Sequence, residues 1–186
     1  MKRVFVTGTD TGVGKTQIAT APLAAWSRQG CRVAAMKPVE TGCAVVDGRR
    51  VAEDAERLLA ATGRALDPAL VCPYRFATPA SPRTAALLDG EPAPDAAAIV
   101  RAAERLADGA DVLLAEGAGG LLVPIAPRLL MADLAERLRM PVLIVARTAL
   151  GTINHTLLSI EAAHRRGLRV VGVVLNQQDV AVSGHG

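Results

Sequence analysis

Hydrophobic positions along the chain fall into two alternating patterns. Five short, nearly unbroken apolar runs, rich in valine, leucine and alanine, occur at Arg3–Thr7, Arg32–Lys37, Asp111–Glu116, Pro141–Ala146 and Arg169–Leu175. Such runs suit strands of a parallel sheet buried on both faces, because a strand with one wet face would alternate instead. Between them lie segments with helical spacing. Lys15–Gln29 closes at Gly30, Ala52–Ala61 near Gly63, and Asp95–Ala107 follows Pro92 and Pro94 and ends before Gly109. Ala132–Arg139 is stopped by Pro141, and Ile153–Arg166 closes at Gly167. Glycine ends helices because it accepts a left-handed backbone, and proline because it has no N–H to donate. Strand alternating with helix predicts an α/β fold: a doubly wound, mainly parallel sheet with helices on both faces and ligands at the carboxyl ends of the strands. Residues 67–82, which contain four prolines, read as a long ordered loop over that end. Residues 1–176 read as one domain and 177–186 as a short tail, disordered or truncated.

The carboxyl ends of the runs hold the chemistry. The first leads into Gly8-Thr9-Asp10-Thr11-Gly12-Val13-Gly14-Lys15-Thr16. Glycines let the backbone approach an anion closely, successive N–H groups can cradle phosphates, and the following helix adds the positive end of its dipole. Lys15 offers a point charge to β- and γ-phosphates, and the Thr16 hydroxyl suits Mg²⁺. Five residues separate Gly8 from Gly14, where the common P-loop has four. The second run ends in Lys37-Pro38-Val39-Glu40-Thr41-Gly42, aiming a cation at the same crevice unless Lys37 only snorkels at a strand edge. The third ends in Glu116-Gly117-Ala118-Gly119-Gly120. A carboxylate opposite the loop threonine is placed to hold Mg²⁺, the alternative being an acidic turn residue. The fourth leads to Gly151-Thr152-Ile153-Asn154, a second candidate anion site at a helix start, or an ordinary threonine cap. The fifth ends at Asn176, whose amide can read a nucleobase edge or simply close a turn. Glu53-Asp54 opens a helix, where acidic residues are favoured in any case.

Composition narrows the partners. Half the residues (51%) are hydrophobic, which excludes a disordered chain, while aromatics are only 2%, too few for a surface that stacks single-stranded nucleic acid. The net charge of +3 comes from scattered arginines with no basic run, so nucleic acid is not an expected partner. No apolar run is long enough to span a bilayer and no signal region follows Met1, so the expectation is a cytoplasmic protein without a membrane partner. Cys31, Cys43 and Cys72, odd in number and widely spaced, read as reduced thiols and not as a disulfide frame or zinc site.

Taken in order, these blocks resemble the dethiobiotin synthetase family, P-loop enzymes that close the ureido ring in biotin synthesis. The matching text is Val6–Thr11 with Val13–Thr16, Lys37-Pro38-Val39 with Thr41-Gly42, Asp54-Ala55, Pro73-Tyr74, Ser81-Pro82, Glu116–Gly120, Leu150–His155 and Val174-Leu175-Asn176. The resemblance implies 7,8-diaminononanoate and CO₂ as substrates, ATP as co-substrate and Mg²⁺ as cofactor. It implies catalytic roles for Lys37 and Lys15, and a metal site of Thr16, Asp54 and Glu116. It implies ATP binding by Gly12, Val13, Gly14, Lys15, Thr16, Gln17, Asp54, Glu116, Gly117, Ala118, Gly119, Asn176 and Gln177. Substrate would be held by Thr41 and by Gly151, Thr152, Ile153 and Asn154, the last four reaching across a homodimer interface. Relatives usually continue for another strand–helix unit after the asparagine; its absence from 177–186 predicts a more open base pocket with weaker or less selective nucleotide binding.

Three other readings compete. A partition or septum-positioning ATPase switch would carry a lysine where Asp10 stands, a corrinoid amidating ligase would need a further glutamine-hydrolysing domain, and a nucleotide-binding remnant would bind without turnover.

Overall fold

The computed structural model describes residues 1–177. In chain order its elements are β1 (Lys2–Gly8), α1 (Lys15–Arg28), β2 (Val33–Met36), β3 (Val39–Thr41), β4 (Ala44–Val46), β5 (Arg49–Val51), α2 (Glu53–Thr62), α3 (Pro68–Val71), β6 (Tyr74–Phe76), α4 (Pro82–Leu88), α5 (Ala96–Ala107), β7 (Val112–Gly120), β8 (Pro124–Ala126), β9 (Leu129–Leu130), α6 (Met131–Arg137), β10 (Val142–Arg147), α7 (Thr152–His164) and β11 (Val170–Asn176). All five apolar runs join one parallel sheet in the order β11-β10-β1-β7-β2. The expected doubly wound α/β architecture is therefore the one observed.

Strand parity sorts the side chains into two cores. Phe5, Ala34, Met36, Leu113 and Ala115 face one way and pack with Ile99 of α5 and Leu134 of α6. Their neighbours in sequence, Val6, Ala35 and Leu114, face the other way and pack with Ala19 and Leu23 of α1 and Leu58 of α2. Burial on both faces is why these strands read as continuous apolar runs. Helix α5 starts where Asp95 accepts hydrogen bonds from the N–H groups of Ala97 and Ala98, a cap that contributes about 1 kcal/mol.

Three expectations need correction. Strand β11 is not buried on both faces: Val171, Val173 and Leu175 are exposed, because α7 and the inner core cover only the alternate residues. The region from Asp67 to Pro82 is not a long loop. It forms α3, β6 and the first residue of α4, and only its end remains beside the cleft. Pro68 and Pro82 are the first residues of helices, where a missing N–H leaves nothing unpaired, and Tyr74–Phe76 pairs in parallel with β3. Strand β7 does not stop at Glu116 but runs on through Gly120, with a register shift against β1 between Val6 and Gly8. From residue 178 onward, the expected tail lies outside the described residues. Among the described residues, no helix is long and apolar enough to cross a membrane.

The three cysteines carry no disulfide, and Cys43 and Cys72 are buried beside the β3–β6 pair. Burial, reinforced by the nearby Glu40 carboxylate, pushes the Cys43 thiol up to about 11 and the Cys72 thiol up to about 12. Both are protonated at pH 8 in the folded chain. Iodoacetamide at pH 8 is expected to label Cys31 alone in the native protein and all three after denaturation, read by peptide mass. Between the ordinary thiol value of 9.0 and the folded values, the unfolded chain ionises first. Stability is therefore expected to fall as pH rises through that window, seen as a lower urea midpoint.

Candidate functional site

The phosphate-type loop leaves the central strand of the sheet and is built by three tight glycine positions. A side chain at Gly8 would lie 2.7 Å from the Asp10 carbonyl, and Gly12 has φ +72°. Gly14, at φ +88°, precedes α1, and a Cβ there would come within 2.1 Å of the Asn176 side-chain nitrogen. Val13 is fully buried and anchors the loop from below. Its carbonyl accepts a hydrogen bond from Asn176 Nδ2 at 3.0 Å, so the end of β11 braces the loop. The Thr11 N–H donates to the Asp10 carboxylate at 2.7 Å, and Arg147 stands 3.7 Å from the same group.

Two lysines and two carboxylates meet above this loop. Lys15 folds back so that Nζ donates to the Asp10 carbonyl at 3.2 Å. Burial, together with the neighbouring Lys37 charge, lowers its pKa. Lys37 follows β2, and its Nζ donates to Glu116 Oε1 at 2.5 Å and Asp54 Oδ2 at 2.9 Å. Burial opposes that charge, but the Glu116 and Asp54 carboxylates outweigh it, and the lysine pKa rises. For Asp54, burial is likewise outweighed by the Lys37 ammonium, and its pKa falls. Thr16 donates its hydroxyl to Glu116 Oε1 at 2.9 Å. The second Glu116 oxygen, Oε2, is buried without a hydrogen-bond partner, and the residue is 0% exposed.

These groups line one cleft of about 700 Å³ at the carboxyl end of the sheet. Gly12, Gly14, Lys15, Thr16, Gln17, Lys37, Thr41, Asp54, Glu116, Ala118 and Gly119 all border it. Pro79–Pro82 forms its opposite wall. Other residues singled out from the sequence lie elsewhere. Gly117 is buried, and a Cβ there would meet the Phe5 ring at 2.8 Å, so its smallness serves packing of β7 on β1. Gln177 is exposed beyond the end of β11. Gly151, Ile153 and Asn154 are exposed and Thr152 half-buried at the start of α7, none of them bordering the cleft of their own chain. Glu40 also borders the cleft and was not among the residues singled out, although α2 opens at Ala52, which cannot cap a helix.

The sequence matches a family described as an AAA domain over residues 2–183. It is 48% identical over 177 residues to the ATP-dependent dethiobiotin synthetase BioD of Anaeromyxobacter dehalogenans strain 2CP-1, covering 95% of this chain and 77% of that protein. The BioD proteins of Anaeromyxobacter sp. strains K and Fw109-5 are 48% and 45% identical, with the same coverage. In three dimensions the chain is similar to the kinase domain of the Escherichia coli tyrosine kinase ETK, with TM-score 0.60 and 17% identity over 100% of this chain and 71% of that one. The BceF tyrosine kinase domain gives TM-score 0.55 at 18% identity, over 95% and 69%. At such identities the likeness is one of fold.

Gly14→Ala places a Cβ against Asn176 in a left-handed backbone that L-residues resist at a cost of about 1–2 kcal/mol. Affinity for a nucleoside triphosphate, measured by calorimetry, is expected to fall about tenfold or more.

Proposed function

Because the chain belongs to the family of ATP-dependent dethiobiotin synthetases, we propose that it carboxylates 7,8-diaminononanoate with CO₂ and closes the ureido ring to dethiobiotin, converting ATP to ADP and phosphate, in biotin biosynthesis. One amine of the substrate captures CO₂ as a carbamate. The γ-phosphoryl group passes to a carbamate oxygen, giving a mixed anhydride. The second amine attacks the carbonyl carbon, and phosphate leaves with the C–O bond electrons. The observation that carries this reading is the convergence of Lys15, Lys37, Thr16, Asp54 and Glu116 on one cleft.

Phosphoryl transfer asks mainly for positioning and charge neutralisation. Lys15 and the Gly12–Thr16 backbone hold the phosphates, with Gln17, Ala118 and Gly119 bordering the same space. Lys37 stabilises the carbamate and the transferring group. Thr41, half-buried at the cleft, offers its hydroxyl to the carbamate or amine. Asn176, its amide nitrogen on Val13, keeps Oδ1 to accept from the adenine amino group, with Gln177 beside it.

Mg²⁺ fits the donors present. Glu116, which keeps one buried oxygen without a hydrogen-bond partner, borders the same cleft as Asp54 and Thr16, and these three residues would hold the ion. Mg²⁺ is commonly held by one or two carboxylates together with substrate phosphates. Bound there, it would neutralise developing phosphate charge.

The same reading assigns Gly151–Asn154 to the cleft of a second copy. Leu150, Ile153, Leu157 and Leu158 are exposed at and just before the first turns of α7, and Val171, Val173 and Leu175 are exposed on β11; these exposed apolar side chains support a homodimer. A cytoplasmic setting accords with three cysteines that carry no disulfide.

Incubation with 7,8-diaminononanoate, bicarbonate and MgATP is expected to yield dethiobiotin by mass spectrometry; ATP consumption without a cyclic urea would reject the assignment. Lys37→Ala is expected to lower kcat/KM by about a hundredfold or more while circular dichroism stays native. Ile153→Asp is expected to halve the mass measured by light scattering and to raise the KM for the diamine.

A further inference from the structure

Helix α2 carries Asp54 into the cleft, yet its own sequence does not cap it. The residue before its first turn is Ala52, whose side chain accepts no hydrogen bond. The first N–H groups of a helix have no partner within it and need an acceptor from elsewhere. Glu40 supplies one from β3. Its Oε1 accepts from the Asp54 N–H at 3.0 Å, and its Oε2 from the Ala55 N–H at 2.9 Å. The residue is only 8% exposed. Burial raises its pKa, and the two N–H bonds and the Lys37 charge work against that rise.

Both carboxylate oxygens are thus engaged with backbone, although the side chain borders the cleft. One of the two N–H groups held is that of Asp54 itself. The backbone of Asp54 is therefore fixed from outside α2, and from that backbone its carboxylate reaches Lys37 at 2.9 Å. From the same backbone position a side chain shorter by one methylene would hold its carboxylate short of these two N–H groups, and an amide would set a donor against one of them.

We propose that Glu40 is a positioning residue, which fixes Asp54 for the divalent cation by capping α2 from the neighbouring strand. The inference rests on the reading of Asp54 as a cation ligand. Outer partners that orient a metal ligand commonly set metal affinity by a factor of about 10–100.

Mn²⁺ can stand in for Mg²⁺, with free ion counted by electron paramagnetic resonance in the presence of saturating ADP. Glu40→Ala and Glu40→Asp are each expected to raise the Mn²⁺ concentration for half-saturation about tenfold. ADP affinity measured without metal is expected to stay within twofold, a separation that general loosening of the fold would not produce. Adding Ala52→Ser to Glu40→Ala supplies a cap within the helix and is expected to recover most of the loss. If Glu40→Ala does not fold, Glu40→Asp carries the same comparison. Half-saturation unchanged in both variants overturns the inference, as does wild-type behaviour of Glu40→Asp, which would assign the effect to charge and not to position. The parent reading is checked separately: wild-type Mn²⁺ binding that Asp54→Ala leaves intact would overturn the cation site, and this inference with it.

Discussion

A lysine ammonium that is almost wholly enclosed must be paired, and the site is organised around that requirement. Lys37 is 3% exposed and sits between Glu116 and Asp54. Removing one partner of a buried pair typically costs about 3–5 kcal/mol, because the remaining charge is left without compensation. The three groups come from the end of β2, the first turn of α2 and the interior of β7, and Thr16 adds the first turn of α1 through Glu116. Four elements far apart in sequence are thereby held in one arrangement. The same pairing gathers carboxylate, hydroxyl and ammonium groups at one cleft.

How much of this was legible in the sequence depended on how each element declares itself. Strands covered on both faces declare themselves as apolar runs, and β11 reads as one although one of its faces is exposed, so the five main strands stood within one or two residues of their observed bounds except at the end of β7. Strands of three residues do not. Nothing in Val39–Thr41, Ala44–Val46, Arg49–Val51 or Tyr74–Phe76 rises above the background of a turn-rich stretch, because a period of two needs more positions to be counted. Pro68 and Pro82 misled in a specific way: proline marks loops and helix starts alike, and here it marks two helix starts. The extension of β7 through Gly120 was hidden for a similar reason, since glycines after a strand read as a turn.

The candidate site was legible where a chemically capable side chain and a strand end coincide. Lys15, Thr16, Lys37 and Glu116 each follow or close a buried strand, and the fold brings that end to a single crevice. Asn176 was found by the same rule, but its amide nitrogen proves to be engaged by the loop itself. Glu40 escaped because a charged residue between Val39 and Thr41 looks like the solvated face of a strand. The available signal was indirect: an acidic first turn behind Ala52 leaves N–H groups that something distant must accept. Gly117 carries a constraint the sequence did not show, since the glycine beside a candidate ligand residue also makes room for the Phe5 ring.

The position of β1 in the middle of the sheet has a consequence for how the molecule breathes. Its amides are bonded to β10 and β7 on either side, and Phe5 and Val6 are fully enclosed in opposite cores. Such amides exchange with solvent only when the whole domain opens, whereas a short exposed hairpin such as β4–β5 can open alone. The phosphate loop is thus rooted in the last part of the chain to come apart. A ligand seated there is coupled to global unfolding, so its occupancy would slow proton exchange throughout the sheet and not merely around the loop.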